Sequence, residues 1–245
     1  MLPLGLLITA IGRRRAQRFH GWGAVLGVGL SAGWLLLSPM AAPGRGLTTS
    51  SLGSCDQADY AAGARTFQEF SRGDRTGFLG LPEVTKVRSA DYFFDFWLRL
   101  NHFTPSALLA HNAAVFGVEA YRLVSVTAAV LVLLNLPLLF FMARVLVGVR
   151  GPWLVGVGAL YALSPLNAYA VHQGALGQLY AAQGIALLTL GLFGASRAAH
   201  GSRSVWPFLP LVVAAVWLLA GSYNFILLVC LAPAGAALLG QLGWK

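Results

Sequence analysis

All the acidic residues of this chain fall within a single interval. Asp56, Asp59, Glu69, Asp74, Glu83, Asp91, Asp95 and Glu119 are its eight carboxylates, and the long apolar stretches on either side contain none. Soluble domains carry about 25% charged residues. Here only 10% are charged and 57% are hydrophobic, with a mean hydropathy of +0.70. Sequence this apolar is matched to lipid, where a spanning segment must satisfy its own backbone hydrogen bonds. The expected fold class is therefore an all-α polytopic membrane protein. It has about six transmembrane helices, with one large extracytoplasmic loop between helices 1 and 2 that carries short interfacial helices.

The spans are expected at about 22–40, 121–143, 153–169, 179–195, 205–220 and 225–242. Residues 1–20 form a basic N-terminus and 21–245 a single membrane domain, with the outer loop at 43–105. Arg13, Arg14, Arg15 and Arg18 precede the first apolar run. The same features fit a signal peptide ending near Ala41-Ala42. The length of the run and the spans that follow favour an uncleaved first helix. Within the loop, 63–70 has helical spacing of Ala64, Phe67 and Phe70, and 91–100 is an aromatic, acidic segment suited to the headgroup level. Residues 105–117 are too short to cross and read as an interfacial helix with Pro105 in its first turn. Pro165 kinks or ends the third span. Residues 170–180 form a polar connection or a broken helix. Gly156, Gly158, Gly174, Gly177 and Gly184 either let helices approach closely or reflect general membrane-helix composition.

The bases fix an orientation. With the N-terminus inside, the inner segments hold Arg13–Arg15, Arg18, Arg144, Arg150, Arg197, Arg203 and Lys245, while the short connections at 170–180 and 221–224 hold neither Lys nor Arg. This positive-inside pattern puts the N-terminus in the cytoplasm and the acid-bearing loop outside a plasma (bacterial inner) membrane. The formal charge of +9 is spread over short connections rather than one face, which excludes nucleic acid as a partner. Cys55 and Cys230 are the two cysteines, one in the polar loop and one in an apolar run, and they have neither disulfide nor metal-site spacing.

Candidate chemistry gathers at the outer side. Asp56 and Asp59, with Tyr60 beside them, can serve as general base toward a hydroxyl, or help hold a divalent cation such as Mg²⁺ or Mn²⁺ against phosphate oxygens. The alternative is a solvated loop with an Asx-turn. His102, His111 and His172 lie on this side without zinc-site spacing, and a phosphate or sugar contact by His102 or His172 stands against ordinary interfacial histidines. Arg122 opens the second span against the charge bias, either snorkelling or pairing with a lipid phosphate. Gln173 and Gln178 line the 170–180 connection and can hydrogen-bond hydroxyls. No phosphate-binding loop, dinucleotide fingerprint, nucleophile elbow or zinc-protease helix occurs in the sequence. No span carries a carboxylate or lysine, which disfavours an ion-coupled transporter.

The order of these pieces resembles the GT-C superfamily of integral membrane glycosyltransferases, in particular the protein O-mannosyltransferase and aminoarabinose-transferase type. The likeness rests on Asp56-Gln57-Ala58-Asp59-Tyr60, His102-Phe103-Thr104-Pro105, Phe116-Gly117, Tyr121-Arg122-Leu123, Met142-Ala143-Arg144 and Tyr161-Ala162-Leu163-Ser164-Pro165, in that order over about residues 20–195. The resemblance implies sugar transfer from a polyprenyl-phosphate-linked donor at the outer membrane face. By position Asp56 matches the family's catalytic Asp, with Asp59 competing, and His102 falls where the donor phosphate is met. Tyr60, Arg122, His172 and Gln173 complete the implied substrate-binding set. Gln57 stands where the family has Glu, Thr104 replaces one of two prolines, and His172-Gln173 stand where the family's second acid lies. Family members are longer, so the chain reads as an enzyme or as its N-terminal membrane module. The contrasting expectation is a non-catalytic six-span subunit that binds a partner membrane protein through its outer loop.

Overall fold

A computed structural model describes residues 22–42, 46–53, 55–70 and 103–230. The basic block at 13–18, the amphipathic segment at 91–100, His102 and most of the sixth expected span lie outside the described residues.

Helix α1 (Trp22–Leu37) ends where Pro39 enters a 3₁₀ turn at Ser38–Met40. A two-residue antiparallel pair follows, β1 (Ala41–Ala42) with β2 (Gly46–Leu47), closed by Thr48 N–H donating to the Met40 carbonyl at 2.9 Å. Helix α2 (Cys55–Glu69) comes next, then α3 (Phe103–Phe116) and α4 (Ala120–Met142). The D-x-x-D pair therefore lies on a helix. The expected helix at 63–70 is the last half of α2, and no loop or Asx-turn holds the two acids.

Helix α4 is the axis of the bundle. It touches α1, α2, α3 and the three helices that follow it, and it runs on through a wide π turn at Ala143–Val147. The continuous stretch Ala120–Val147 is 28 residues, or about 42 Å at 1.5 Å per residue, against a hydrocarbon thickness of about 30 Å. The third expected span is two helices, α5 (Pro152–Ala162) and α6 (Pro165–Gln173). Pro165 has no N–H to offer the Tyr161 carbonyl one turn back. Asn167 Nδ2 donates to that carbonyl instead, at 2.6 Å, and Ser164 Oγ caps α6 by accepting from Leu166 N–H at 3.3 Å. The break expected at Pro165 is thus present and fully capped.

Gly174, in the left-handed region at φ 70°, separates α6 from α7 (Leu176–His200), and α8 (Leu209–Ser222) returns beside it. Residues 224–230 start a further helical segment. Three stretches are long and apolar enough to cross a membrane: Ala120–Val147, Pro152–Gln173 and Leu176–His200. The first and fifth expected spans are shorter apolar helices, Val25–Met40 and Trp206–Ser222. Large side chains such as Leu30, Trp34, Leu160 and Trp217 lie exposed on the flanks of the bundle, where lipid would solvate them.

Lipid gives helices no hydrophobic drive to associate, so close backbone approach must do it. Gly177, Gly184 and Gly191 recur every seven residues on α7 and face α8. A Cβ would stand 3.1 Å from the Ser222 carbonyl at the first, 2.8 Å from Leu219 Cγ at the second and 2.9 Å from Val212 Cγ2 at the third. The two helices run antiparallel, as the falling partner numbers show. Gly158 makes a similar contact with the Phe140 ring between α5 and α4, whereas Gly156 faces open space. Of the five glycines singled out by sequence, four pack closely and Gly156 does not. Gly184→Val should therefore lower stability by about 1–3 kcal/mol, the usual cost of overpacking, while Gly156→Val stays within about 0.5 kcal/mol. Thermal unfolding of the two variants in detergent, compared with the parent, checks this; equal shifts would refute the glycine-stripe account.

Candidate functional site

The helix carrying Asp56 and Asp59 is held down by its opposite face. Gln57, Tyr60, Gly63 and Ala64 are buried, with Phe67 packed beside them, while Arg65 and Glu69 form an exposed ion pair at 2.6 Å. Buried and exposed faces alternate at helical spacing, although the inner one is small and polar rather than aliphatic.

Gln57 is the centre of that inner face. Its Nε2 amide lies 3.0 Å from the Ser50 carbonyl, 2.9 Å from the His172 carbonyl and 3.1 Å from Ser125 Oγ. One amide group thus joins α2 to the 48–52 strap, to the end of α6 and to the second turn of α4. Ser125 Oγ donates to the Ser50 carbonyl at 2.8 Å, and Ser50 Oγ pairs with His172 Nδ1 at 2.6 Å. Thr49 Oγ1 donates to the Tyr121 carbonyl and accepts from Ser125 N–H at 3.4 Å. Gly174 is required here twice over. Its φ is left-handed, and a Cβ would run into Gln57 Cγ.

Tyr60, one turn further along α2, makes the second attachment. Its hydroxyl accepts from Gly177 N–H at 3.0 Å, one of the first-turn donors of α7 that have no partner within their own helix. Burial pushes the Tyr60 hydroxyl above its ordinary value of 10.0; the Gly177 hydrogen bond works against this, and the nearby Asp56 charge adds to it.

The remaining sequence candidates are placed around this junction. Asp56 and Asp59 are half-buried, and Asp56 lies in the first turn of α2, where a helix N-terminus favours negative charge. Arg122 is half-buried in the first turn of α4, one turn before Ser125. Asp56, Asp59 and Arg122 all have bonding or electrostatic partners. His172 and Gln173 are half-buried at the end of α6. Gln178, exposed in the first turn of α7, reaches the Tyr223 hydroxyl at 3.4 Å. The structure therefore gathers Asp56, Tyr60, His172 and the start of α4 about one junction. His102 lies outside the described residues.

Sequence reading missed Thr49, Ser50, Gln57 and Ser125 as a set. The available signal was Ser125, a hydroxyl in the second turn of a mainly apolar helix. Among the described residues no three His, Cys, Asp or Glu side chains cluster as a metal site. Asp56 and Asp59 are hard oxygen donors of the kind Mg²⁺ takes, but they would need phosphate oxygens to complete a shell.

No protein-family model matches the chain, and neither the curated proteins nor the solved structures give a significant match.

Two outcomes follow from the junction. Gln57→Leu removes the amide that ties α2 to the His172 and Ser50 carbonyls, leaving them only the Leu52 N–H and Ser125 hydroxyl donors, and should destabilise the protein by about 1–3 kcal/mol, read as a lowered midpoint of thermal unfolding in detergent. Tyr60→Phe should cost about 1 kcal/mol and also alter the alkaline limb. A hydroxyl whose folded pKa is raised contributes stability that is complete below its unfolded value of 10.0 and lost as pH rises through the folded pKa. The parent should therefore lose more stability than Tyr60→Phe as pH climbs past 10.0. Parallel pH profiles for the two proteins would contradict the buried Tyr60 assignment.

Proposed function

We propose that the chain is a GT-C-like glycosyltransferase, or the N-terminal module of one. It would transfer a sugar from a polyprenyl-phosphate-linked donor to an acceptor at the outer face of a bacterial inner membrane. One observation carries this reading. Half-buried Asp56 and Asp59 lie on a helix strapped to the bundle end that also bears Arg122 and His172, away from the arginine-bearing connections at 143–151 and 197–205. A carboxylate so placed meets water and lies within reach of a lipid carrier. Asp56, with Asp59 as the competing assignment, takes the acceptor proton or orients the sugar. Arg122 binds the donor phosphate, for which its planar fork is suited. Tyr60, His172 and Gln173 border the sugar, and His102 belongs to the phosphate side. A divalent cation would be held by the two aspartates together with donor phosphate.

A second reading has its own support. The residue in the family's Glu position, Gln57, is buried and serves to hold the fold together. A site that has turned one acid into a structural amide suits a non-catalytic subunit bound to a partner membrane protein.

Proteoliposomes given radiolabelled mannosyl- or glucosyl-polyprenyl phosphate distinguish the two. Asp56→Asn and Asp59→Asn should both insert normally, and at least one should lose about 10²–10⁴-fold of transfer, the usual worth of a general base. Full activity in both variants would end the catalytic assignment. A stoichiometric partner co-purifying with a chain that binds no polyprenyl phosphate would favour the subunit reading.

A further inference from the structure

At the end of the bundle opposite Gln57, the π turn after α4, the last turns of α7 and the start of α8 surround a cavity of about 680 Å³. This lies within the roughly 300–1,000 Å³ typical of ligand sites. Phe141, Leu190 and Leu211 make its apolar floor, and Arg197 and Arg203 stand at its mouth. Among the described residues those two arginines are the only charged side chains of its lining, and no carboxylate joins them. Arg197 also lies over the Phe193 ring, 5.8 Å from its centroid, which orients the guanidinium across the opening.

Three properties coincide here. The floor is apolar. The mouth lies at the level of the arginine-bearing connections, where phospholipid headgroups sit, and its charge is positive throughout. The wall is widened by a π turn, a local irregularity that is frequent at functional sites. A free anion would use the mouth and leave the floor empty, whereas a neutral lipid would leave the arginines without a counterpart. Basic pockets between spanning helices recognise acidic headgroups in this way.

We infer that the cavity binds an anionic phospholipid, its phosphate at Arg197 and Arg203 and an acyl chain along Phe141, Leu190 and Leu211. The bound lipid bridges α4, α7 and α8. The site is independent of the proposed transfer chemistry at the other end.

The test uses the purified full chain in a neutral detergent, with native mass spectrometry after addition of phosphatidylglycerol or phosphatidylcholine of identical acyl chains. The parent should retain phosphatidylglycerol selectively. Arg197→Gln/Arg203→Gln should weaken that retention about thirtyfold, the joint effect of two arginines near an anionic surface. Ser204→Trp keeps both arginines and fills the mouth, so it should cause a comparable loss; it decides the matter if the double variant does not fold. Equal retention of the two lipids by the parent would overturn the proposal, as would undiminished phosphatidylglycerol binding in the folded variants. Inorganic phosphate alone raising the melting temperature as much as phosphatidylglycerol does would assign the site to a free anion and overturn it too.

Discussion

The end of the bundle where α4 begins is organised by one primary amide. Gln57 is 5% exposed and lies within hydrogen-bond distance of two backbone carbonyls and one hydroxyl, which ties α2 to segments that Ser50 and Ser125 already join to one another. Side-chain chemistry dictates the residue type. Two carbonyl oxygens need donors, and an amide supplies two N–H groups, whereas an ionised carboxylate is an acceptor only. A glutamate here would set a charge against carbonyl dipoles in a dry setting. An amide rather than a carboxylate at position 57 therefore has a physical reason that lies within the fold. Gln57 Oε1 has no partner among the described residues, so the junction is held by the donor side of the amide.

The remainder of the bundle follows the rules of packing without a hydrophobic drive. The α7–α8 pair is brought together by glycines at a seven-residue period, a repeat that keeps one stripe facing one partner along the pair. Two side-chain amides within the apolar helices find partners across to a neighbouring helix. Asn135 Nδ2 donates to the Tyr161 hydroxyl at 2.9 Å and Gln183 Nε2 to the Leu131 carbonyl at 3.1 Å. The two kinds of contact divide the work by depth: amides and hydroxyls fix register, while glycines set the spacing.

Which features were legible in the sequence depends on how local their cause is. The apolar stretches were legible because lipid imposes length and composition on any spanning helix, and α4 begins at Ala120 against an expected 121. The break before Pro165 was legible because the missing N–H is a property of that residue alone. The start of α2 was not. Cys55-Asp56-Gln57-Ala58-Asp59-Tyr60 reads as a loop because its inner face is made of Gln57, Tyr60, Gly63 and Ala64, which give no hydrophobic period. The aspartates, Arg122 and His172 could be picked out by residue type and place. The Gln57 network could not, since its partners lie 68 and 115 residues away and only the folded chain makes them neighbours.

That network also determines where the aspartates are. Successive residues of a helix are turned by about 100°, so fixing Gln57 against Ser50 and His172 fixes the azimuth of all of α2. Asp56 then falls on one flank, about 100° from the anchored direction, and Asp59 about 60° beyond it. Neither can enter the core, where an unpaired carboxylate would be costly, and neither turns fully into water. Their half-buried state thus follows from the register of the helix, with Tyr60 on Gly177 N–H as a second pin that resists rotation. A pair of acids held at a fixed depth by two separate anchors is positioned rigidly in the way a transfer site requires. The same pinning would equally give a docking subunit an invariant acidic edge. The two uses differ in what meets the aspartates, since both rest on the same amide.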